Sequence, residues 1–158
     1  MKNLSISIFS IILFFGFLNG QEIKPYRLGI IVNDLELSTS WYTETFNVDV
    51  YEKFSYPKDD VRVHLLKNDE LEFELVERKT SFSIFELLPN YDNRERPVEG
   101  FYKASFEVEN IQVLYDKLLQ EEAEIYFPLT TDDELGIKTF IIKDPDKNLL
   151  QFVEIIEE

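Results

Sequence analysis

The feature that most constrains the fold of this chain is an internal repeat. Segments 27–35 and 103–111 begin 76 positions apart, and each opens with a basic residue, alternates in polarity, and reaches an Asp or Asn before an apolar residue. Alternation with a period of two is typical of a strand. Asp34 and Asn110 are residue types suited to cap the N-terminus of a helix. The repeat therefore predicts a duplicated strand-and-helix unit.

A helix is predicted after each cap. In the second half, Ile111, Leu114 and Leu118 belong to an amphipathic pattern at i, i+3 and i+7. The first helix is less regular and is expected to end near Asn47. Its expected buried side chains are Leu37, Trp41, Tyr42 and Phe46.

Three strand-like runs follow each predicted helix. They cover 48–54, 61–66 and 71–76 in the first half and 123–127, 137–143 and 149–155 in the second, with turns at 128–136 and 144–148. Each half therefore reads as a β-α-β-β-β module, about 26–78 and 100–156. The predicted fold class is α+β, with helices on the outer face of a cupped mixed sheet. Segment 79–99 links the modules and is predicted to hold one or two helical turns, ended by Pro89.

The N-terminus has the pattern of a secretory signal peptide. Lys2 is followed by an apolar stretch from Ile6 to Leu18 and then by Asn19 and Gly20. We expect residues 1–20 to be removed and residues 21–158 to form one secreted or periplasmic domain. A retained membrane anchor is the alternative. The chain has no Cys, which excludes disulfides, thiolate metal sites and a Cys nucleophile.

The charge of the chain excludes one class of partner. It carries 31 Asp and Glu against 16 Lys and Arg, a net charge of −15. Such a surface repels phosphate backbones and anionic lipid headgroups, so we expect no nucleic-acid binding and no membrane binding after signal cleavage.

Three short motifs resemble those of a known family. Val32-Asn33-Asp34-Leu35, followed by Ser38 and Trp41-Tyr42, is similar to the motif of the first helix in the vicinal oxygen chelate superfamily, which includes glyoxalase I, bleomycin resistance proteins and extradiol dioxygenases. Segment 106–110 (FEVEN) is similar to the F-x-V-x-D that opens the second half, and 144–148 (DPDKN) to the D-P-D-G-N turn before the last strand. The resemblance covers nearly all of residues 26–155.

The resemblance also implies where a metal would bind. Metal-dependent members hold one divalent ion with residues on the first and last strands of each module. The matching positions here are Arg27, Glu74, Lys103 and Gln151. A guanidinium has no lone pair to donate, and Lys103 could act as a ligand only after losing the proton that a lysine ammonium ordinarily keeps at neutral pH. We therefore expect a degenerate site with no metal and no cofactor.

Two interpretations of these four residues stay open. Strand alternation places Arg27 on the polar face of the first strand, and it places Glu72 and Glu74 together on one face of the fourth strand. Lys103 and Gln151 have the corresponding positions in the second half. The four could form a structural ion-pair network. Alternatively, they could line a ligand pocket in which Arg27 and Lys103 bind an anionic or carbonyl group and Glu74 orients them.

The expected function follows from the resemblance. The first hypothesis is an exported protein that binds a small molecule without chemistry, similar to the bleomycin resistance proteins, and that forms a homodimer as family members commonly do. The alternatives are a lyase, isomerase or dioxygenase-like enzyme of the same superfamily and a module for protein contacts. No catalytic residue is assigned. His64, the single His of the chain, is expected to be structural.

The turn at 144–148 departs from the family pattern at Lys147, where Gly is usual. If this position has a positive φ, the Lys side chain costs about 1–2 kcal/mol of local strain. A differently shaped turn is the other possibility.

Overall fold

The computed structural model describes residues 24–156. Their secondary structure repeats one order twice, with a short helix between the copies. The elements are β1 (Leu28–Val32), α1 (Leu35–Phe46), β2 (Asp49–Tyr56), β3 (Val61–Lys67), β4 (Glu72–Arg78), α2 (Ile84–Leu87), β5 (Ala104–Glu107), α3 (Ile111–Gln120), β6 (Glu124–Asp132), β7 (Ile137–Lys143) and β8 (Leu149–Ile155).

The strands form two four-stranded sheets, one for each module. Their orders are β1-β4-β3-β2 and β5-β8-β7-β6. In each sheet the first strand pairs in parallel with the last strand of its module, and the other pairs are antiparallel. The prediction of an α+β fold built from two βαβββ modules is confirmed. β1 and β5 each lie at an edge of their sheet.

α1 and α3 start at the predicted caps. The Asp34 side chain accepts a hydrogen bond from the backbone N–H of Leu37 at 3.0 Å, and Asn110 accepts one from Val113 at 3.3 Å. α1 ends at Phe46, and the next residue, Asn47, takes a left-handed conformation with φ of 51°. Asn tolerates this conformation better than most residues, so the end of α1 follows from its local sequence.

β6 is the strand that runs furthest past its predicted end. β6 continues to Asp132, so the turn predicted at 128–136 is wrong in its first half. Pro128 has no N–H to donate, and the pairing of β6 with β7 shifts register between Phe127 and Thr130, where that missing donor is tolerated. The turn begins only after Asp132, whose carboxylate accepts from the N–H groups of Glu134 and Leu135 within it.

The apolar faces of both sheets contribute to a single hydrophobic core. Its fully buried members include Leu35, Tyr42, Phe73, Phe140 and Leu150. The prediction that Leu37 is buried is wrong, because its side chain is 57% exposed. The buried face of α1 instead follows Leu35, Ser38, Tyr42 and Phe46.

The two modules contact each other through residues of the motifs themselves. The Tyr42 hydroxyl donates to the Asp144 carboxylate at 2.8 Å, and both side chains are buried. Asp146 accepts from the backbone N–H of Asn33 at 2.8 Å and from the Ser38 hydroxyl at 3.1 Å. Beside this contact, the ring of Phe46 packs on rings of the second module. These hydrogen bonds therefore hold α1 of the first module against the turn before β8 of the second.

Lys147 in this turn has a φ of 71°, so the alternative with a positive φ is the correct one. Its ammonium pairs with Glu124 on β6. The link between the modules contains the expected short helix, the single turn Ile84–Leu87, which Ser83 and Glu86 cap reciprocally. Across residues 24–156, no helix is both long and apolar enough to cross a membrane. The predicted signal segment 1–20 lies outside the described residues.

Candidate functional site

The polar face of the first sheet holds a compact ion-pair cluster around Arg27. Because Leu28 pairs with Phe73, Arg27 stands level with Glu72. The guanidinium approaches the Glu72 carboxylate at 2.6 Å and the Glu74 carboxylate at 3.5 Å. The hydroxyl of Tyr51 also donates to Glu72, at 2.5 Å. The guanidinium therefore lies between two acids and is partly covered by Tyr26, whose ring centre is 4.6 Å from it.

The proton affinities of this cluster follow from its contacts. The hydrogen bond from Tyr51 and the nearby charge of Arg27 hold the pKa of Glu72 below its ordinary value, so the acid is charged at neutral pH. The same hydrogen bond raises the pKa of Tyr51 to about 12, because the phenol would lose a bond by ionising. The Nε of Arg27 is buried and has no hydrogen-bond partner.

The polar face of the second sheet is organised differently. Ser105 lies level with Gln151, and its hydroxyl donates to the Gln151 carbonyl oxygen at 2.8 Å. The Gln151 amide in turn donates to Thr139 at 2.8 Å. Lys103, just before β5, is exposed, and its ammonium lies 6.0 Å from the ring centre of Tyr102. Within residues 24–156, Lys103 has no ion-pair partner.

The structure thus brings together two of the four residues singled out from the sequence. Arg27 and Glu74 meet on the first sheet, while Lys103 and Gln151 belong to the second. In the described part of the chain, no hydrogen bond or ion pair joins the first two to the second two. On the first sheet, the contacts are those of an ion-pair network. On the second sheet, Lys103 is exposed and Gln151 bonds to Ser105 and Thr139, with no ion pair to either among the described residues.

These residues do not fit a divalent metal ion. The positions implied by the family offer one carboxylate, which is engaged with Arg27, and one amide oxygen, which is engaged with Ser105. The other two positions are cationic and repel a metal. Across residues 24–156, no group of three or more His, Cys, Asp or Glu side chains is arranged to hold one.

His64 lies under α1, on the face of β3 opposite the polar one. Its Nδ1 is 2.8 Å from the Thr39 hydroxyl, which itself donates to the carbonyl of Leu35 at 2.5 Å. Because the hydroxyl proton is used there, we assign the proton between His64 and Thr39 to Nδ1. Burial lowers the pKa of His64, so the ring is neutral at pH 7. The contacts are those of a packed structural side chain.

Two residues of the Arg27 cluster were not singled out from the sequence. Glu72 makes a shorter contact to Arg27 than Glu74 does, because the parallel register of β1 and β4 places it level with Arg27. Tyr51 reaches Glu72 from a β-bulge, where the pairing of β2 with β3 shifts between Val50 and Glu52. Bulges redirect side chains and leave no local mark in one sequence, whereas Glu72 could have been found from its place two residues before Glu74.

Comparison with known proteins agrees with this architecture. Residues 24–152 match the family model described as the Glyoxalase/Bleomycin resistance protein/Dioxygenase superfamily. No curated protein sequence matches the chain.

Solved structures of the same fold are distant in sequence. A glyoxalase family protein from Enterococcus faecalis is 23% identical, with a TM-score of 0.69 over 85% of this chain and 98% of that one. A glyoxylase/bleomycin resistance protein/dioxygenase domain from Frankia sp. EAN1pec is 19% identical, with a TM-score of 0.69 over 86% and 94%. A genomically encoded fosfomycin resistance protein from Listeria monocytogenes is 12% identical, with a TM-score of 0.62 over 84% and 93%. At these identities the likeness shows the fold.

Proposed function

Because this chain belongs to the glyoxalase/bleomycin resistance protein/dioxygenase superfamily, we propose that it binds a small molecule on the polar faces of its sheets without metal-dependent chemistry. The observation that carries the proposal is the Arg27 guanidinium, which stands at a family metal-ligand position and is held at 2.6 Å and 3.5 Å from two carboxylates. Those carboxylates are thereby committed to a protein cation rather than to a metal ion.

The polar faces are suited to hold a ligand by hydrogen bonds and charge. The first offers Arg27, Glu74 and Tyr51, and the second offers Lys103 and the Ser105–Gln151 pair. Neither face places a nucleophile beside a general base within the described residues. Binding therefore accounts for these side chains better than catalysis does.

We further propose that two copies of the chain form a homodimer that completes the site. β1 and β5 are edge strands, and neither edge pairs with another strand in residues 24–156. Ile31 on β1 is 59% exposed although it is a large apolar side chain. Unpaired edges of this kind invite strand pairing with a second chain. Pairing β1 of one copy with β5 of the other would bring Arg27 and Glu74 beside Lys103 and Gln151.

We also propose that the protein works outside the cytoplasm. The proposal rests on the sequence pattern of residues 1–20, in which one basic residue precedes an apolar stretch and a small-residue end. The family domain begins at residue 24, so cleavage after Gly20 leaves it whole.

The binding proposal is tested by thermal unfolding against a panel of small anionic, cationic and neutral molecules, each with and without EDTA. A ligand that binds the folded state raises the unfolding temperature. We expect at least one compound to do so to the same extent in EDTA, and to lose its effect when Gln151→Leu and Lys103→Gln are combined. Val113→Ala, at an exposed helical position, is the control. Stabilisation that EDTA abolishes contradicts the proposal.

A further inference from the structure

The two polar faces are built on one plan but differ in their acids. In each sheet, a tyrosine at the first β-bulge of β2 or β6 lies near a lysine of the neighbouring strand. Lys67 is 4.6 Å from the ring centre of Tyr51, and Lys143 is 5.6 Å from that of Tyr126. On the first sheet, Glu72 completes this arrangement. On the second sheet the matching position is Leu149, which stands level with Lys143.

The second face gains a further cation from the link between the modules. Arg94 folds back onto β6, with its guanidinium 4.4 Å from the ring centre of Tyr126 and donating to the Tyr126 carbonyl oxygen. Tyr102 lies near Tyr126, whose hydroxyl raises the pKa of Tyr102, and the ring centre of Tyr102 is 6.0 Å from the Lys103 ammonium. The cluster thus runs from Lys103 through two tyrosines to Arg94 and Lys143.

The cluster carries an excess of positive charge, although the chain as a whole is negative. Lys143, at 2.8 Å, and Lys147 share one carboxylate, that of Glu124. In the described part of the chain, neither Arg94 nor Lys103 has a carboxylate within ion-pair distance. Asp92 lies close to Arg94 but accepts from its backbone N–H, not from the guanidinium. In a protein of net charge −15, this face therefore holds four cations, of which only Lys143 and Lys147 are paired with an acid in the described residues.

We propose that this cluster of Arg94, Lys103, Lys143 and Tyr126 is a binding site for an oxyanion, the carboxylate or phosphate group of a small organic ligand. A guanidinium and two ammonium groups carry donors and no acceptors of their own, and hydrogen bonds to a charged acceptor are about twice as strong as neutral ones. The ring of Tyr126 holds both Arg94 and Lys143 by cation–π contact. The proposal rests on the proposed function because Lys103 belongs to both sites, and it adds the chemical class of the ligand.

The test uses inorganic phosphate and benzoate as probes, with the full mature chain in EDTA at constant ionic strength set by chloride. Two-dimensional amide NMR follows the titration. We expect saturable shifts at residues of this cluster. Lys143→Gln and, separately, Arg94→Gln should weaken binding by about tenfold, since each removes one charged donor. Glu124→Gln, which removes the competing acid, should strengthen it.

Lys67→Gln is the matched control, because it makes the same charge change at the equivalent position of the first sheet. It should leave the affinity within about twofold. Equal weakening by Lys67→Gln and Lys143→Gln would show a general charge effect and overturn the site, as would the lack of saturable shifts with either probe. Lys103→Gln, at an exposed position, serves if Lys143→Gln fails to fold.

Failure of the anion site and failure of the proposed function are distinguishable. The probe titration reports on oxyanions alone and runs in EDTA, so a chain that binds metal still gives an interpretable result. A chain that binds a neutral or cationic ligand without metal, but neither phosphate nor benzoate, keeps the proposed function and loses the oxyanion site.

Discussion

The contact between the two modules gives the sharpest stability prediction. Tyr42→Phe removes one hydroxyl and keeps the buried ring. The lost hydrogen bond, 2.8 Å long, is donated to the Asp144 carboxylate, which is 3% exposed. A hydrogen bond to a charged group contributes about 1.5–3 kcal/mol. Asp144 keeps its bonds from the N–H groups of Asp146 and Asn148 and from the Asn148 amide. We therefore expect the free energy of unfolding to fall by about 1.5–3 kcal/mol at pH 7, and no further.

The pH dependence of this loss follows from the protonation of Asp144. Burial raises its pKa above the ordinary value of 3.8, although the bonds from Asn148 and Tyr42 oppose the rise. A carboxyl group with a raised folded-state pKa favours the folded state below that pKa and loses this contribution as the pH rises through it. Removing Tyr42's hydroxyl raises the pKa further. The cost of Tyr42→Phe is therefore greatest at neutral pH and shrinks in acid.

The assay is chemical denaturation of wild type and variant across pH 4–8. Tyr115→Phe is the control, because the Tyr115 ring packs on Phe140 at 5.0 Å while its hydroxyl has no hydrogen bond within the described residues. It should cost less than about 0.5 kcal/mol. Equal costs for the two variants, or a cost for Tyr42→Phe that grows in acid, would refute the assigned contact.

Further predictions concern the turn, the Arg27 cluster and export. Since Lys147 has a φ of 71°, Lys147→Gly should be more stable than Lys147→Ala by about 1 kcal/mol in denaturant titrations, although both lose the pair with Glu124. The lowered pKa of Glu72 contributes stability above its ordinary value of 4.5 that is lost as the pH falls through the folded-state pKa. The stability gap between wild type and Glu72→Gln should therefore close in acid; a constant gap contradicts the contact. N-terminal sequencing of protein from its native host should find a start at Gln21 outside the cytoplasm, and an intact Met1 in the cytoplasm contradicts export.

Much of the fold could be predicted because its signals are local. β7 and β8 have the predicted bounds and α3 begins directly after its predicted cap, since each has a clear period and adjacent turn or cap residues. Asp34 and Asn110 act as caps because a side chain reaches its own helix within three residues. The prediction is wrong for β6, because Pro128 indicates the start of a turn in the sequence, whereas a bulge accommodates it within the strand.

The candidate site was predicted less completely because its contacts are long-range. The sequence pattern placed Arg27 and Glu74 on polar faces, but the register that sets Arg27 against Glu72 depends on pairing between distant strands. Arg94 reaches Tyr126 from a segment that reads as a loop. No period or motif connects such positions, so they become visible only once the chain is folded.

Metal stoichiometry tests the central claim most directly. The mature protein, purified from cells grown with ample trace metals and dialysed against buffer without chelator, is measured by elemental analysis. Arg27→His combined with Lys103→His is the comparison, since it places imidazole ligands at two positions that the proposed homodimer would bring together with Glu74 and Gln151. We predict fewer than about 0.1 divalent ions per wild-type chain and a higher content in the double variant. One Zn, Ni, Mn or Fe per wild-type chain would contradict a metal-free binding site.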